Sequence, residues 1–259
     1  MKKFLILLPL FIILILSGLP YGIAVRRYKV SSPKINAEIK IALISDLHGE
    51  DYKKPVSLVK AEKPDIIVLC GDIFDESAPD DNGLSLIREL LPAAPVYYVT
   101  GNHEEWRSDT GKLKSKLIGM GVTVIDNFSD RVDIRGQKIL LSGIDDPGFY
   151  GTGRYMRRLT ELQQPTDDFT VLIAHRPDFC AHYDRDLVLC GHTHGGLMRI
   201  PFLPGGLVAP GQGLFPRYAG GIYEYKPRKH MVVSRGLAKH TGVFPRMWNS
   251  PEICIIDLD

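Results

Sequence analysis

Two histidines, separated by one residue, follow a short apolar run. The run 187–190 has the length and composition of a buried strand, and Gly191-His192-Thr193-His194-Gly195-Gly196 follows it directly. Imidazole is the commonest nitrogen ligand for metals in proteins, so two histidines at one strand end could serve one metal cluster. The flanking glycines allow the backbone to turn sharply beside a ligand. This stretch predicts part of a metal site.

The same construction recurs at four other predicted strand ends. Across the five ends, the polar side chains are carboxylates, a carboxamide and imidazoles: Asp46, His48, Asp72, Asn102, His175, His192 and His194. Mixed oxygen and nitrogen ligands suit manganese, iron or zinc and disfavour iron–sulfur or cuprous chemistry. Seven ligands exceed the needs of one ion. The set therefore predicts two divalent ions about 3.5–4 Å apart that share a bridging carboxylate, with manganese favoured.

Predicted strands and helices alternate along the chain and would bring these ligands together. Apolar runs predict strands at 39–44, 65–70, 96–99, 170–174, 187–190, 231–233 and 253–256, and residues 132–142 predict a hairpin that turns at Arg135-Gly136. Helical spacing is found between several of the strands. Such alternation favours parallel or mixed sheets covered on both faces, and these sheets bind ligands at the carboxyl ends of their strands.

The N-terminus differs in character from the rest of the chain. Phe4–Val25 is an uncharged, mostly apolar run of 22 residues, preceded by Lys2-Lys3 and followed by Arg26-Arg27. As a helix it would span about 33 Å, against a hydrocarbon core of about 30 Å. We therefore predict a membrane anchor, or a signal sequence, and a location at the inner membrane.

The charge divides the chain at the same place. Residues 1–29 carry five basic and no acidic residues, whereas the remainder carries 27 basic and 30 acidic residues. That slightly acidic body lacks the basic surface of a nucleic-acid-binding protein, so no nucleic-acid partner is expected. We predict an anchor at 1–29, a linker at 30–38 and one α/β domain at 39–259. The four cysteines lack metal or disulfide spacing and are expected to be buried as small apolar residues.

The ligand blocks, in their order, resemble the calcineurin-like metallophosphoesterase superfamily. The blocks are Asp46-x-His48, Gly71-Asp72-x-x-Asp75, Gly101-Asn102-His103-Glu104, His175 and Gly191-His192-x-His194. The resemblance covers about residues 39–257. Gly195-Gly196, Ser234–Leu237, Pro245-Arg246 and the anchor are similar to a bacterial, membrane-associated branch. That branch contains YaeI-type phosphodiesterases and hydrolases of the lipid A precursor UDP-2,3-diacylglucosamine.

The resemblance implies a four-layer αββα sandwich of two mixed sheets and a role for each ligand. The first metal would be held by Asp46, His48 and His194, and the second by Asn102, His175 and His192, with Asp72 bridging the two. His103 would protonate the leaving oxygen or stabilise its charge, and Asp75 would orient His103. We also expect Gly195 and Gly196 to keep side chains away from a bound phosphate.

The implied activity is hydrolysis of phosphodiester or pyrophosphate bonds by a hydroxide that bridges the two metals. The anchor favours a lipid-linked or envelope substrate such as UDP-2,3-diacylglucosamine. Alternatives are a general phosphomonoesterase or nucleotidase and, in another class, a catalytically inactive surface-binding module. Asp75 is followed by Glu76-Ser77 rather than Arg-Gly, which speaks against protein phosphatase activity.

Three further residues are candidates for substrate binding. Arg235 and Arg246 could clamp a second phosphate, since guanidinium binds phosphate through two parallel hydrogen bonds. The alternative for both is an ordinary surface ion pair. Asp145 could bind substrate or, as we slightly favour, structure the Pro-Gly turn that follows it.

Overall fold

Two six-stranded sheets form the centre of the computed structural model, which describes residues 15–202, 205–241 and 244–259. The first sheet has the order β1-β16-β2-β3-β4-β5. Its strands are β1 (Ala24–Val30), β2 (Ile39–Ile44), β3 (Ile66–Cys70), β4 (Val96–Val99), β5 (Thr123–Val124) and β16 (Glu252–Leu258). β2 to β5 run parallel to one another, and β16 is antiparallel to β2. The sheet is therefore mixed, as predicted.

The second sheet has the order β12-β13-β9-β8-β7-β6. Its strands are β6 (Phe128–Ile134), β7 (Gln137–Ile144), β8 (Phe169–Ala174), β9 (Leu187–Cys190), β12 (Gly221–Lys226) and β13 (Lys229–Val233). β7, β8, β9 and β13 are parallel, and the outer strands β6 and β12 are antiparallel to their neighbours. The predicted hairpin is confirmed: β6 and β7 join at Arg135-Gly136, where both residues have positive φ.

Helices cover the outer face of each sheet. They are α1 (Lys53–Glu62), α2 (Asp81–Leu90), α3 (Asn102–Trp106), α4 (Thr110–Met120) and α5 (Thr152–Leu162), with single 3₁₀ turns at Pro147–Phe149, Pro177–His182 and His194–Gly196. Two small ribbons, β10 (Val208–Ala209) with β11 (Gly213–Leu214) and β14 (His240–Thr241) with β15 (Phe244–Pro245), complete the described elements.

The alternation of side chains along each strand produces four layers. Ile41 and Leu43 of β2 point towards the second sheet and share a buried core with Val171 and Ile173 of β8. The intervening β2 residues lie in a separate core that α1, α2 and α4 complete. α5 packs on the far face of the second sheet. Because the central strands are buried on both faces, they read in the sequence as continuous apolar runs.

The predicted N-terminal anchor is the main correction. Ala24–Val30 is an edge strand that pairs in parallel with β16 along its whole length, so the prediction of a helix continuing through Val25 is wrong, and the segment assigned to 1–29 ends inside the sheet. Residues 15–18 are helical, whereas 1–14, about half of the predicted anchor, lie outside the described residues. Within the described ranges, no helix combines the length and apolar character needed to cross a bilayer.

Candidate metal centre

The predicted ligands lie where the parallel strands of both sheets end. Asp46 follows β2 and its backbone N–H donates to the carbonyl of Gly71, the first residue after β3, at 3.0 Å. His175 follows β8, and its Nδ1 lies 2.8 Å from the carbonyl oxygen of Cys70. The first contact joins two loops of the first sheet, and the second joins the first sheet to the second. The carboxyl ends of the strands therefore meet in one place, as the strand order requires.

Five of the seven predicted ligands adopt a backbone conformation that is uncommon for residues with a side chain. Their φ angles lie between 47° and 72°, and the residues are Asp46, His48, Asp72, His192 and His194. Left-handed backbone at a non-glycine residue costs free energy and persists only where the surrounding structure enforces it. The concentration of such residues at the ends of β2, β3 and β9 marks this edge as a functional site.

The predicted first-metal residues form a compact group. Asp46, His48 and His194 can bring one ligand atom each to within 4.8 Å of the others. His194 Nε2 lies 3.6 Å from Asp46 Oδ1. Asp46 is held in turn by the backbone N–H of His192, which donates to its carboxylate at 3.0 Å. A divalent ion could be held between these three side chains.

A second group lies next to the first. Asp72, His175 and His192 also bring ligand atoms to within 4.8 Å of one another. Asp72 Oδ2 is 3.1 Å from His175 Nε2 in this group and 3.8 Å from His48 Nε2 in the first. Asp72 is thus the carboxylate between the two groups, which is the place predicted for a bridging ligand.

Four buried atoms of the predicted ligands have no hydrogen-bond partner among the described residues. They are His48 Nε2, Asn102 Oδ1, His192 Nε2 and His194 Nδ1, whereas His175 Nε2 lies 3.1 Å from Asp72 Oδ2. Buried polar atoms are nearly always paired, and each unpaired one needs an explanation. Imidazole nitrogen and amide oxygen are ligands for divalent metals, so two bound ions would satisfy these atoms. The donor set fits divalent metal ions and leaves the identity of the metal open.

The protonation of His192 and His194 suits metal binding. Burial holds the pKa values of His192 and His194 well below the usual range, so both rings are neutral and can donate a lone pair to a metal. Burial also lowers the pKa of His175, but the charge of Asp72 outweighs it and raises the pKa to about 10. For Asp72, burial raises the pKa, and the charges of His175 and His48 together bring it well below its usual range.

His103 stands beside the metal groups with two carboxylates against its ring. Its Nδ1 lies 3.1 Å from Asp75 Oδ2, the predicted partner, and 2.7 Å from Glu76 Oε2. The same Asp75 oxygen lies 3.0 Å from His48 Nδ1. Hydrogen bonding to His48 is the main cause of the lowered pKa of Asp75. Asp75 therefore orients a predicted ligand as well as His103, and Glu76 is a contact that the sequence did not suggest.

Glu104 has a larger role than the sequence indicated. Its buried carboxylate accepts four backbone hydrogen bonds, from Gly101 at 2.7 Å, Asp72 at 2.8 Å, Ile73 at 2.9 Å and Phe74 at 3.0 Å. One side chain thus fixes the loop after β3 to the start of α3. The backbone N–H of His103 adds a 2.9 Å bond to Asp72 Oδ1, so the carboxylate between the two groups is held from both sides.

Asp145, a candidate for substrate binding, forms hydrogen bonds with other residues of the fold. Its carboxylate accepts from Thr100 Oγ1 at 2.6 Å, Lys114 Nζ at 3.0 Å and Asn127 Nδ2 at 3.1 Å. It is 6% exposed. These bonds tie the end of β7 to β4 and α4, whereas the Pro-Gly turn is bonded by the neighbouring Asp146, which accepts from the backbone N–H of Gly148 at 3.0 Å.

The two candidate arginines differ in burial and in their contacts. Arg235 Nε lies 3.3 Å from Oε2 of the buried Glu252, so it forms an ion pair. Arg246 is 0% exposed, which contradicts the expectation of a surface ion pair. None of its three guanidinium nitrogens has a hydrogen-bond partner in the described part of the chain. Burial is the main cause that lowers its pKa, to about 10.

The expectation for Gly195 and Gly196 is wrong. A Cβ on Gly195 would overlap the side chain of Asn249, and one on Gly196 would overlap the backbone of Gly206. The space is therefore occupied by protein rather than kept for phosphate. Asn249 Nδ2 donates to the carbonyl of His194 at 2.7 Å. The two glycines allow these neighbours to pack against the turn that carries the histidines.

A family model and individual relatives of this chain indicate the same protein family. The family model described as calcineurin-like phosphoesterase matches residues 39–196. Phosphodiesterase YaeI of Escherichia coli is 30% identical over 250 residues, which cover 90% of this chain and 87% of YaeI. Metallophosphoesterase YkuE of Bacillus subtilis, whose function is uncharacterised, is 32% identical over 234 residues, 85% of this chain and 78% of YkuE.

Other relatives are longer, and a solved structure shares the fold. The chain spans 51% of metallophosphoesterase F40B5.2 of Caenorhabditis elegans, to which it is 29% identical over 92% of its own length. The crystal structure of TT1561 of Thermus thermophilus covers 78% of this chain and 92% of TT1561, with a TM-score of 0.51 and 17% identity. At that identity the likeness concerns the fold alone.

Proposed function

The chain belongs to the calcineurin-like phosphoesterase family, and from this premise we propose that it hydrolyses phosphodiester or pyrophosphate bonds with two divalent metal ions. The observation that carries the proposal is the set of unpaired, buried ligand atoms in two adjacent groups joined by Asp72. The likeness to phosphodiesterase YaeI supports the diester preference.

The proposed ligand roles follow the two groups. Asp46, His48 and His194 would hold the first ion, and Asn102, His175 and His192 would hold the second, with Asp72 available to both. Bound divalent ions would supply Lewis acidity towards phosphoryl oxygens and activate water as the nucleophile. Backbone hydrogen bonds already fix the carboxylates of Asp46 and Asp72, so metal binding would require little reorganisation of these two side chains.

His103 is the proposed proton donor to the leaving oxygen. Asp75 and Glu76 hold its Nδ1, which leaves Nε2 to face the substrate. The ring of Trp106 lies with its centroid 4.6 Å from that of His103 and limits its rotation.

The metal requirement is tested by removal and restoration. Stripping the full-length protein with a chelator is expected to lower the rate on bis(p-nitrophenyl) phosphate about 1,000-fold, since two ions supply several kcal/mol of transition-state stabilisation. Mn²⁺, Fe²⁺ and Zn²⁺ are then restored one at a time, with Mn²⁺ expected to be most effective. A stripped protein with undiminished rate contradicts the proposal. A fully loaded protein that is inactive on every phosphoester favours the surface-binding module.

The same activity panel separates the possible substrates. A higher rate on p-nitrophenyl phosphate than on the diester would favour the phosphomonoesterase or nucleotidase alternative.

We extend the proposal to a lipid-linked or envelope substrate at the membrane, supported by the apolar residues 4–23 that precede β1. Turnover of UDP-2,3-diacylglucosamine by protein that sediments with membranes is expected. Activity confined to the supernatant and to chromogenic esters contradicts this extension.

His103→Gln is expected to lower kcat in a way that depends on the leaving group. A general acid contributes about 100-fold or more to rate when the leaving oxygen is strongly basic. We therefore expect a loss of about 100-fold on an alkyl phosphodiester and less than about tenfold on bis(p-nitrophenyl) phosphate, whose leaving group needs no proton. The control is His182→Gln, at an exposed histidine away from the site. Equal losses on both esters would exclude proton donation by His103.

A further inference from the structure

A cavity of about 320 Å³ lies beside the loop that carries Asp46 and His48. It is enclosed by residues 19–23, the start of α1 and the chain on either side of β14 and β15. The backbone N–H of Lys239, on its rim, donates to Glu50 Oε1 at 2.6 Å, two residues beyond His48. The volume is at the small end of the range of about 300–1,000 Å³ found for ligand sites. The cavity is thus large enough for a short chain and adjoins the metal centre.

Part of the lining of the cavity is apolar. The apolar residues are Leu19, Pro20, Ile23 and Pro251, and Leu19 is 52% exposed. Contact between water and apolar side chains is unfavourable. An apolar ligand that displaces this water therefore binds with a free energy proportional to the apolar area that it covers. A hydrocarbon chain is the occupant that this lining fits.

Charged residues also line the cavity. Lys54, Lys239 and Arg246 are cationic, and Asp51 is acidic. Both lysines are exposed, whereas Arg246 is fully buried and its guanidinium has no hydrogen-bond partner among residues 15–202, 205–241 and 244–259. A buried charge is costly unless it is paired, and guanidinium pairs best with a carboxylate, phosphate or similar oxyanion. An anionic group in the cavity would satisfy Arg246.

We propose that this cavity binds an anionic single-chain amphiphile. The chain lies against Leu19, Ile23 and Pro251, and the oxyanion head group pairs with Arg246 and Lys239. None of the lining residues is a proposed metal ligand, so binding does not depend on hydrolysis. The recognised chemistry is an oxyanion joined to a hydrocarbon chain, which a lipid fragment carries and a free phosphate or sulfate does not.

The test compares three probes by titration calorimetry on the full-length, detergent-free protein. n-Octanesulfonate carries both chain and anion and has no phosphoester bond to hydrolyse. n-Octyl glucoside carries the chain alone, and sodium sulfate carries the anion alone. We expect n-octanesulfonate to bind at least tenfold more tightly than either. Equal binding of sulfate would identify a simple anion site, and equal binding of the glucoside an apolar one. Either result, or no binding of octanesulfonate, overturns the proposal.

Variants locate the probe in the cavity. Arg246→Met keeps an extended side chain and removes the charge. We expect it to weaken the binding of n-octanesulfonate at least tenfold. The double variant Lys54→Gln/Lys239→Gln alters only exposed residues, so it tests the proposal if Arg246→Met does not fold. We expect it to reduce the affinity for n-octanesulfonate at least threefold. Lys53→Gln, an exposed neighbour outside the cavity, is the matched control and should bind like the parent. Unchanged binding by the folded variants overturns the assignment.

Discussion

Asp72→Asn is expected to lower kcat/KM for bis(p-nitrophenyl) phosphate by about 1,000-fold, or about 4 kcal/mol of transition-state stabilisation. Asp72 lies between the two ligand groups, with its Oδ2 3.1 Å from His175 Nε2 and 3.8 Å from His48 Nε2. An amide has one oxygen ligand without formal charge and cannot bridge two ions as a carboxylate does. The bound metal is therefore expected to fall from two ions per chain to one or none.

The experiment pairs kinetics with elemental analysis of the same preparation. The control is Asp133→Asn, in the exposed hairpin far from the site, where the carboxylate accepts a 2.9 Å bond from the backbone N–H of Gly136. It should keep both ions and the parental rate. An Asp72→Asn protein with two ions and unchanged kcat/KM would remove the basis for a bridged pair and require another ligand to join the groups.

The grouping of the ligands could be predicted because local sequence determines it. Each ligand follows an apolar run that forms a strand, and parallel strands place their carboxyl ends at one edge of the sheet. β2 and β3 are parallel neighbours in one sheet, and β8 and β9 are in the other. The alternation of strand and helix predicted mixed sheets, and the family resemblance implied that there are two of them. Local pattern therefore placed Asp46 and Asp72 at one sheet edge, whereas the approach of His175 from the second sheet was implied by the resemblance.

Other features depend on contacts between distant parts of the chain. The apolar run at the N-terminus has the hydropathy of a helix, but β16, more than 200 residues later, offers an open edge that residues 24–30 pair with. Arg246 is 0% exposed, whereas the sequence predicted either a phosphate clamp or a surface ion pair. Residue type and spacing carry no record of such pairings, because they arise only when the sheets are assembled.

Glu104→Gln is expected to reduce both stability and activity. The substitution keeps the size of the side chain. In the parent protein, each carboxylate oxygen of Glu104 accepts from two backbone N–H groups. In either orientation of the glutamine amide, its NH₂ group would replace one of these oxygens and leave two N–H groups without an acceptor. Buried donors left without an acceptor cost about 1–3 kcal/mol each, so we expect the free energy of unfolding to fall by about 3 kcal/mol. For a domain of this size, that lowers Tm by about 6–12 °C.

The loss of activity should follow from the position of Asp72 rather than from unfolding. Glu104 fixes the N–H groups of Asp72, Ile73 and Gly101, and a displacement of about 1 Å in a reacting group can cost 100-fold in rate. We expect kcat to fall about 100-fold well below Tm, with weaker binding of the second ion. Glu105→Gln, at the partly exposed neighbour on α3, should leave Tm and kcat unchanged. A Glu104→Gln protein with lowered Tm but parental kcat and metal content would show that Glu104 supports the fold without positioning the metal centre.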